Sequence, residues 1–140
     1  IRGGSIIVSL CISLSCKNYR DVMGGAYIGH PPLRPFQVHA TANSHPITAG
    51  LPPFTVNDEQ HYVQYDKDPR YLILESENVD GLTYEEQGRN LGTKSPAGWA
   101  YDYGKGRVVF TAVGHTIHAM WNPTYLEIQR RAVRWLLKDI

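Results

Sequence analysis

The sequence of 140 residues has only two cysteines and no marked excess of charge of either sign. Its 14 Lys and Arg residues and 13 Asp and Glu residues give a net charge of +1, and the basic residues are scattered. Nucleic-acid backbones bind clustered cations that displace counterions, so we expect no nucleic-acid partner. Cys11 and Cys16 match neither the C-x-x-C redox spacing nor a zinc knuckle, and they predict two packed thiols.

Long hydrophobic runs are also missing. The longest, residues 6–14, is interrupted by serines and is too short to cross about 30 Å of hydrocarbon, so we expect a soluble protein without a membrane partner. The chain begins at Ile1 without a basic segment ahead of a hydrophobic one, which favours an internal or trimmed piece and leaves the compartment undetermined. Its length predicts a single domain over residues 1–140 that buries about 68 to 70% of its unfolded surface.

Several catalytic signatures are absent from the sequence. It has no H-E-x-x-H or H-x-H zinc pattern, and His115 and His118 are three residues apart. Residues 104–107 contain Gly-Lys-Gly-Arg without the Walker spacing and predict a hairpin turn. Cys11 stands where a nucleophile elbow would place its nucleophile, but the flanking glycines are missing. A metal is therefore possible on composition but is not required.

Short apolar runs between turn residues predict a mixture of strands and helices. Residues 5–11 are typical of a strand buried on both faces of a parallel sheet, and residues 17–23 predict a helix ended by glycines. We expect further strands over residues 36–40, an adjacent pair over 62–65 and 71–75, and a hairpin over 97–101 and 107–112.

The C-terminal residues predict an amphipathic helix. Asn122 is a good N-cap, Pro123 suits the first helical position, and apolar residues then recur at three- and four-residue spacing as far as Leu137. We expect that the apolar face packs on the sheet and that three arginines face water. The apolar positions are Tyr125, Ile128, Ala132, Trp135 and Leu136, and the arginines are Arg130, Arg131 and Arg134.

Histidines beside turns are the main functional clue. His30 and His115 each follow a glycine at the expected end of an apolar run, which is where α/β sheets place active-site groups. His45 lies in a proline-rich loop over residues 41–53. Each of these histidines has a structural alternative as a hydrogen-bonded surface or loop residue.

Residues 58–62 combine two carboxylates, an amide, an imidazole and a phenol. In an extended chain, side chains alternate, so Glu59 and His61 share one face while Asp58 faces the other way. Glu59 and His61 could form an acid–base pair or two metal ligands. The alternative is a structural role, with Asp58 capping a turn and Glu59 in a salt bridge.

The order of several short blocks resembles the ThuA-like trehalose-utilisation domain, over nearly the whole chain. The resemblance implies a flavodoxin-like, class I glutamine amidotransferase-like fold: a parallel sheet flanked by helices, here the C-terminal portion of a domain whose N-terminal strands are missing. The blocks are GGAYIGHP at 24–31, HPITAGL at 45–51, DEQHY at 58–62, AGWA at 97–100, YGKGRV at 103–108, GH at 114–115 and AVRW at 132–135.

The resemblance also implies a role in carbohydrate use, on disaccharides such as trehalose or on 3-keto sugars made by a partner dehydrogenase. His30, Glu59 and His115 match polar site residues of the family. We predict that Glu59 and His115 act as base and acid, with His30 polarising oxygen directly or through a divalent metal such as zinc. Predicted substrate-binding residues are His45, Asp58, His61, Trp99, Tyr101 and Arg107.

The predicted enzyme would be a hydrolase, lyase or isomerase. Two other hypotheses about function remain open. In the first, the chain is a non-catalytic carbohydrate-binding module in which Trp99, Tyr101 and Tyr103 stack on sugar, although such aromatics also fill cores. In the second, Cys11, which replaces a histidine of many relatives, serves a thiol enzyme like an amidotransferase. Assembly into a homo-oligomer is an additional hypothesis.

Overall fold

The computed structural model describes residues 5–6 and 17–140. The remainder of the predicted first strand, including Cys11, lies outside the described residues, and so does Cys16. The strands are β1 (Ser5–Ile6), β2 (Gly25–Gly29), β3 (Arg34–Ala40), β4 (Phe54–Asp58), β5 (Tyr62–Tyr65), β6 (Leu72–Asn78), β7 (Glu85–Glu86), β8 (Arg89–Asn90), β9 (Lys94–Tyr103) and β10 (Gly106–Thr111); the helices are α1 (Lys17–Met23), α2 (Ile117–Met120) and α3 (Pro123–Leu136), with a 3-10 turn at Pro69–Tyr71.

The main sheet is largely antiparallel. Its strand order is β1-β10-β9-β6-β3-β4, and among these described strands only β1 and β10 pair in parallel. The expectation of a flavodoxin-like parallel sheet is therefore not met. Two neighbouring parallel strands must be joined by a crossover of a dozen or more residues, which is usually an α-helix. Between β3 and β10 the described chain instead returns through turns and through the proline-rich loop at residues 41–53, without an α-helix. The domain is a mixed α/β structure with a curled antiparallel sheet and few helices.

Several predicted elements are confirmed. α1 has the predicted bounds, and β9 and β10 form the predicted hairpin, with Gly104 in a left-handed turn conformation at φ 57°. The predicted pairing of strands near residues 62–65 and 71–75 is wrong: β5 pairs with β2, whereas β6 lies between β3 and β9. The β2–β5 pair needs glycine, because a Cβ at Gly25 would lie 2.6 Å from the Gln64 carbonyl oxygen.

Helix α3 packs on one face of the sheet as its apolar spacing predicts. The Asn122 side chain accepts hydrogen bonds from the amides of Thr124 and Tyr125, and Pro123 occupies the first turn. The buried Tyr125 hydroxyl donates to the Val113 carbonyl at 2.8 Å. The helix contributes Tyr125, Ile128, Ala132, Trp135 and Leu136 to a core shared with β3, β4 and β10.

A second core on the other side holds the aromatic residues that were predicted to contact sugar. Trp99 is 1% exposed, stacks on Phe110 at 4.2 Å and donates to the Met23 carbonyl at 2.7 Å. Tyr101 is 4% exposed and donates to the Val22 carbonyl. The structure therefore makes both rings core residues that tie α1 to the sheet, because neither presents a face to solvent.

The short helix α2 lies along β4, at the end of the sheet order. The Thr116 hydroxyl donates to the Asn57 carbonyl at 3.3 Å, and the Asn122 amide donates to the Thr55 carbonyl at 3.4 Å. These two side chains take up carbonyl groups of the terminal strand. None of the helices within residues 17–140 combines the length and apolar character that a membrane crossing requires.

Candidate functional site

The site is centred on Glu59, directly after β4. Asp58 and Gln60 are fully buried, while the Glu59 and His61 side chains lie on the other side of the extended chain. Their Oε2 and Nε2 atoms are 3.4 Å apart. The alternation predicted for residues 58–62 therefore does bring this carboxylate and this imidazole together.

Three imidazoles surround one oxygen of Glu59. Oε2 lies 3.5 Å from His30 Nε2, 3.4 Å from His61 Nε2 and 3.2 Å from His115 Nδ1. The histidines come from three places in the chain: the end of β2, the start of β5 and the loop after β10. The side chain of Glu59 is 18% exposed and that of His115 is 44% exposed, so a small molecule can reach the cluster from solvent.

Asp58 positions His115 rather than facing solvent. Its Oδ2 accepts hydrogen bonds from the backbone amides of Gly114 at 2.8 Å and His115 at 3.1 Å, and its Oδ1 accepts one from Thr116 at 2.8 Å. The side chain has no exposed surface. Asp58 therefore has the structural role that was the alternative to substrate binding: it caps a turn, because all three hydrogen bonds hold the loop that carries His115.

His30 has a defined hydrogen-bonding state. Its Nδ1 lies 2.8 Å from the Pro31 carbonyl oxygen, which can only accept, so Nδ1 carries a proton. The neutral ring then presents the Nε2 lone pair towards Glu59, and only the imidazolium can donate from Nε2. Since Nε2 lies beside the carboxylate, the pair is arranged to share a proton.

His61 is the most buried of the three imidazoles. Burial lowers its pKa below the ordinary value of 6.5, against the opposing effect of the Glu59 hydrogen bond. Tyr27 packs edge-on against this ring at 5.3 Å and also contacts His30 at 6.0 Å. His61 is thus held neutral beside Glu59, and Tyr27 is a wall of the site that the sequence patterns did not single out.

His45 and Arg107 lie in a different place. Both contact Trp135: the His45 ring edge-on at 5.1 Å and the Arg107 guanidinium over the indole at 4.4 Å. Arg107 is the second residue of β10, whereas His115 follows the end of that strand, so the two lie at opposite ends of it. The structure does not bring His45 or Arg107 to the Glu59 cluster.

The His45 ring gives the fold a pH dependence. Burial, and secondarily Arg107, lower its pKa below 6.5, and its Nδ1 accepts the Ile47 amide at 3.2 Å. The His45 imidazole therefore binds a proton more readily in the unfolded chain than in the folded one. As a result, the free energy of unfolding falls as the pH drops below about 6.5.

The substitution His45→Asn tests this effect, because the Asn Oδ1 can accept the same amide without titrating. We expect the difference between the melting temperatures at about pH 7.5 and about pH 5.5 to be smaller in this variant than in the unmodified protein. His39→Asn, at an ion pair with Glu75 on another surface, is the control. An unchanged pH dependence in His45→Asn would contradict the assignment.

The donor types around Glu59 invite a test for zinc. Imidazole nitrogen and carboxylate oxygen are zinc ligands. The hydrogen bond from His30 Nδ1 to the Pro31 carbonyl also resembles the hydrogen bond that commonly orients a metal-bound histidine through its second ring nitrogen. However, across residues 17–140 no group of three or more His, Cys, Asp and Glu side chains has the arrangement needed to hold an ion. The roles below are therefore assigned to the side chains alone, and no chemical step passes through a metal.

The fold and the cluster together define an α/β domain with a solvent-accessible carboxylate–imidazole site. The family model for ThuA, described as trehalose utilisation, matches residues 2–136. The chain therefore belongs to the ThuA family. No curated protein sequence matches it significantly.

Two crystal structures share the fold. One, described as a thua-like protein from Bacteroides uniformis ATCC 8492, has 19% identity and a TM-score of 0.62, covering 87% of this chain and 51% of that one. The other, described as a thua-like protein from Parabacteroides merdae ATCC 43184, has 18% identity and a TM-score of 0.59, covering 83% and 42%. The chain thus spans about half or less of the length of these relatives.

Proposed function

We propose that this trehalose-utilisation-family chain provides an acid–base site that acts on a disaccharide or a 3-keto-glycoside. The observation that supports it most is the convergence of three imidazole nitrogens on Glu59 Oε2 within 3.5 Å. Groups that exchange protons lie close to one another, and three of them, Glu59, His30 and His115, are accessible to solvent.

A 3-keto-glycoside suits this arrangement chemically. Its C3 carbonyl acidifies the hydrogen on C2, so a carboxylate can remove that proton, and the glycosidic oxygen on C1 can then leave. We assign the removal of the proton to Glu59 and the protonation of the leaving oxygen to His115, the most exposed imidazole. We assign the polarisation of the carbonyl oxygen to His30, whose Nδ1 is engaged by the Pro31 carbonyl and whose Nε2 faces the cluster.

The remaining contacts assign supporting roles. His61, kept neutral by burial, orients Glu59, and Asp58 positions the loop of His115. A sugar dehydrogenase that oxidises C3 would supply the substrate, and we propose such an enzyme as the partner in the reaction sequence. Of the three rings on which the binding-module hypothesis depended, Trp99 and Tyr101 are buried, and Tyr103, which is 38% exposed, donates its hydroxyl to Asp21.

The proposal is tested by incubating the protein with a 3-keto-glycoside in D2O and following the reaction by NMR. We expect release of the leaving sugar together with loss of the C2 hydrogen signal as the double bond between C1 and C2 forms, both unchanged after dialysis against EDTA. Loss of activity on dialysis and recovery with zinc would overturn the metal-free assignment. Binding without release of the leaving sugar would overturn the enzyme and favour a binding module, and absence of both would reject the proposal.

A further inference from the structure

The β2–β5 pair contains a β-bulge directly before His30. Tyr27 lies opposite Val63. Gly29 lies opposite Tyr62, the neighbour of Val63, so β2 has one extra residue at this point. Directly opposed residues of an antiparallel pair point to the same face of the ladder. Tyr27 therefore points to the face of Val63, whereas Gly29 points to the other face.

The bulge directs His30 to the face that carries the Glu59 cluster. His61 precedes Val63 by two residues in an extended chain, so it shares the face of Tyr27. In a regular strand His30, three residues after Tyr27, would point the other way, but the extra residue reverses the alternation. The His30 and Tyr27 rings accordingly lie 6.0 Å apart. β-bulges beside active sites commonly redirect a side chain in this way.

Three rings on this face are in mutual contact. The centroid of the Tyr27 ring is 5.3 Å from that of His61, and the two imidazole centroids, of His30 and His61, are 5.5 Å apart. The planes of Tyr27 and His61 are inclined at 76°, and those of Tyr27 and His30 at 44°. Edge-to-face arrangements are favoured between aromatic rings, so the Tyr27 ring restricts the positions that both imidazoles can take.

Tyr27 constrains a rotation that the contacts to Glu59 leave open. Glu59 Oε2 lies within 3.5 Å of one nitrogen of His30 and one nitrogen of His61. A contact to a single ring atom does not fix the plane of an imidazole, and the torsion that turns this ring has only a broad intrinsic preference. A packed neighbouring ring limits that rotation. Tyr27 is suited to this role because the pairing of β2 with β5 fixes its backbone.

We propose that Tyr27 is a positioning residue of the acid–base site, whose ring fixes the orientations of the His30 and His61 rings around Glu59. The effect on turnover rests on the proposed function, whereas the effect on the two imidazoles does not. Tyr27 exchanges no proton and acts only through these imidazoles. Because displacement of reacting groups by about 1 Å can cost about a hundredfold in rate, its loss should lower kcat more than it raises KM.

The test compares Tyr27→Leu, which removes the ring, with Tyr27→Phe, which keeps it. Tyr71→Leu is the matched control, since Tyr71 is also partly buried and packs on an aromatic ring, that of Tyr101 at 5.6 Å, in the second core. With a 3-keto-glycoside, we expect Tyr27→Leu to lower kcat about tenfold to a hundredfold and to leave KM within about threefold. Tyr27→Phe should recover most of this loss, and Tyr71→Leu should leave kcat unchanged.

Nitrogen-15 NMR of the histidine rings tests the positioning without any substrate. At a pH where His30 is neutral, we expect its ring in the unmodified protein to carry the proton on Nδ1, which faces the Pro31 carbonyl at 2.8 Å. Tyr27→Leu should give a mixture of the two His30 tautomers, whereas Tyr27→Phe and Tyr71→Leu should keep the first. Tyr27→Met, which also lacks a ring, replaces Tyr27→Leu if that variant does not fold.

The outcomes separate this inference from the proposed function. An unchanged His30 tautomer in Tyr27→Leu would overturn the inference whatever the activity, and so would equal losses of kcat in Tyr27→Leu and Tyr71→Leu. If Tyr27→Phe were as slow as Tyr27→Leu, the hydroxyl and not the ring would matter, and the assignment would be wrong. Absence of turnover in the unmodified protein would overturn the proposed function, and the NMR comparison would still decide whether Tyr27 orients the imidazoles.

Discussion

Glu59→Gln is expected to lower the turnover of a 3-keto-glycoside about a thousandfold, which is within the range for loss of a general base. Gln retains the size of the side chain and one oxygen that can face the imidazoles, but it cannot take up a proton. Glu59 is not part of the packed core, so the melting temperature should stay within a few degrees of that of the unmodified protein. Release of the leaving sugar and thermal denaturation measure the two effects separately.

Glu75→Gln is the matched control for this change. Glu75 also pairs with a histidine, with His39 Nε2 at 3.3 Å from its Oε1, but it lies in β6 away from the Glu59 cluster. Its replacement should leave the release of the leaving sugar unchanged. Turnover that survives Glu59→Gln, or that falls equally in Glu75→Gln, would overturn the assignment of Glu59 as the base.

Asp58→Ala is expected to destabilise the protein by about 3 kcal/mol, because three backbone amides lose a fully buried charged acceptor at once. It should also lower activity in protein that is still folded, because the loop holding His115 is no longer fixed. Urea denaturation measures the free energy of unfolding, and turnover below the transition measures the second effect.

Asp102→Ala serves as the comparison for Asp58. Its side chain is 79% exposed and pairs with Arg107 at 3.3 Å, so its removal should cost less than about 1 kcal/mol. If Asp58→Ala were as mild as this control, the three amides would find water or other acceptors on their own. The assignment of Asp58 as the residue that positions His115 would then be wrong.

Local signals predicted much of the fold. The cap at Asn122, the proline at position 123 and the apolar spacing define α3, since all three act within one helix. The alternation at residues 58–62 likewise predicted that Glu59 and His61 share a face, because side chains alternate in any extended chain.

What the sequence patterns could not specify are the partners of each segment. β5 pairs with β2, more than 30 residues away, and no local pattern distinguishes that partner from β6. A tryptophan gives the same sequence pattern whether its ring stacks on a sugar or on another side chain. In the structure, Trp99 stacks on Phe110 in the core.

The Thr116 and Asn122 contacts to β4 bear on how the protein avoids aggregation. β4 is the terminal strand of the sheet order, and an uncovered terminal strand is a template for pairing with another chain. By taking up the Asn57 and Thr55 carbonyls, the segment around α2 occupies sites that an incoming strand would use. The loop that presents His115 thus leads directly into the segment that protects the edge of β4. Variants that loosen this loop should therefore increase aggregation as well as lower turnover.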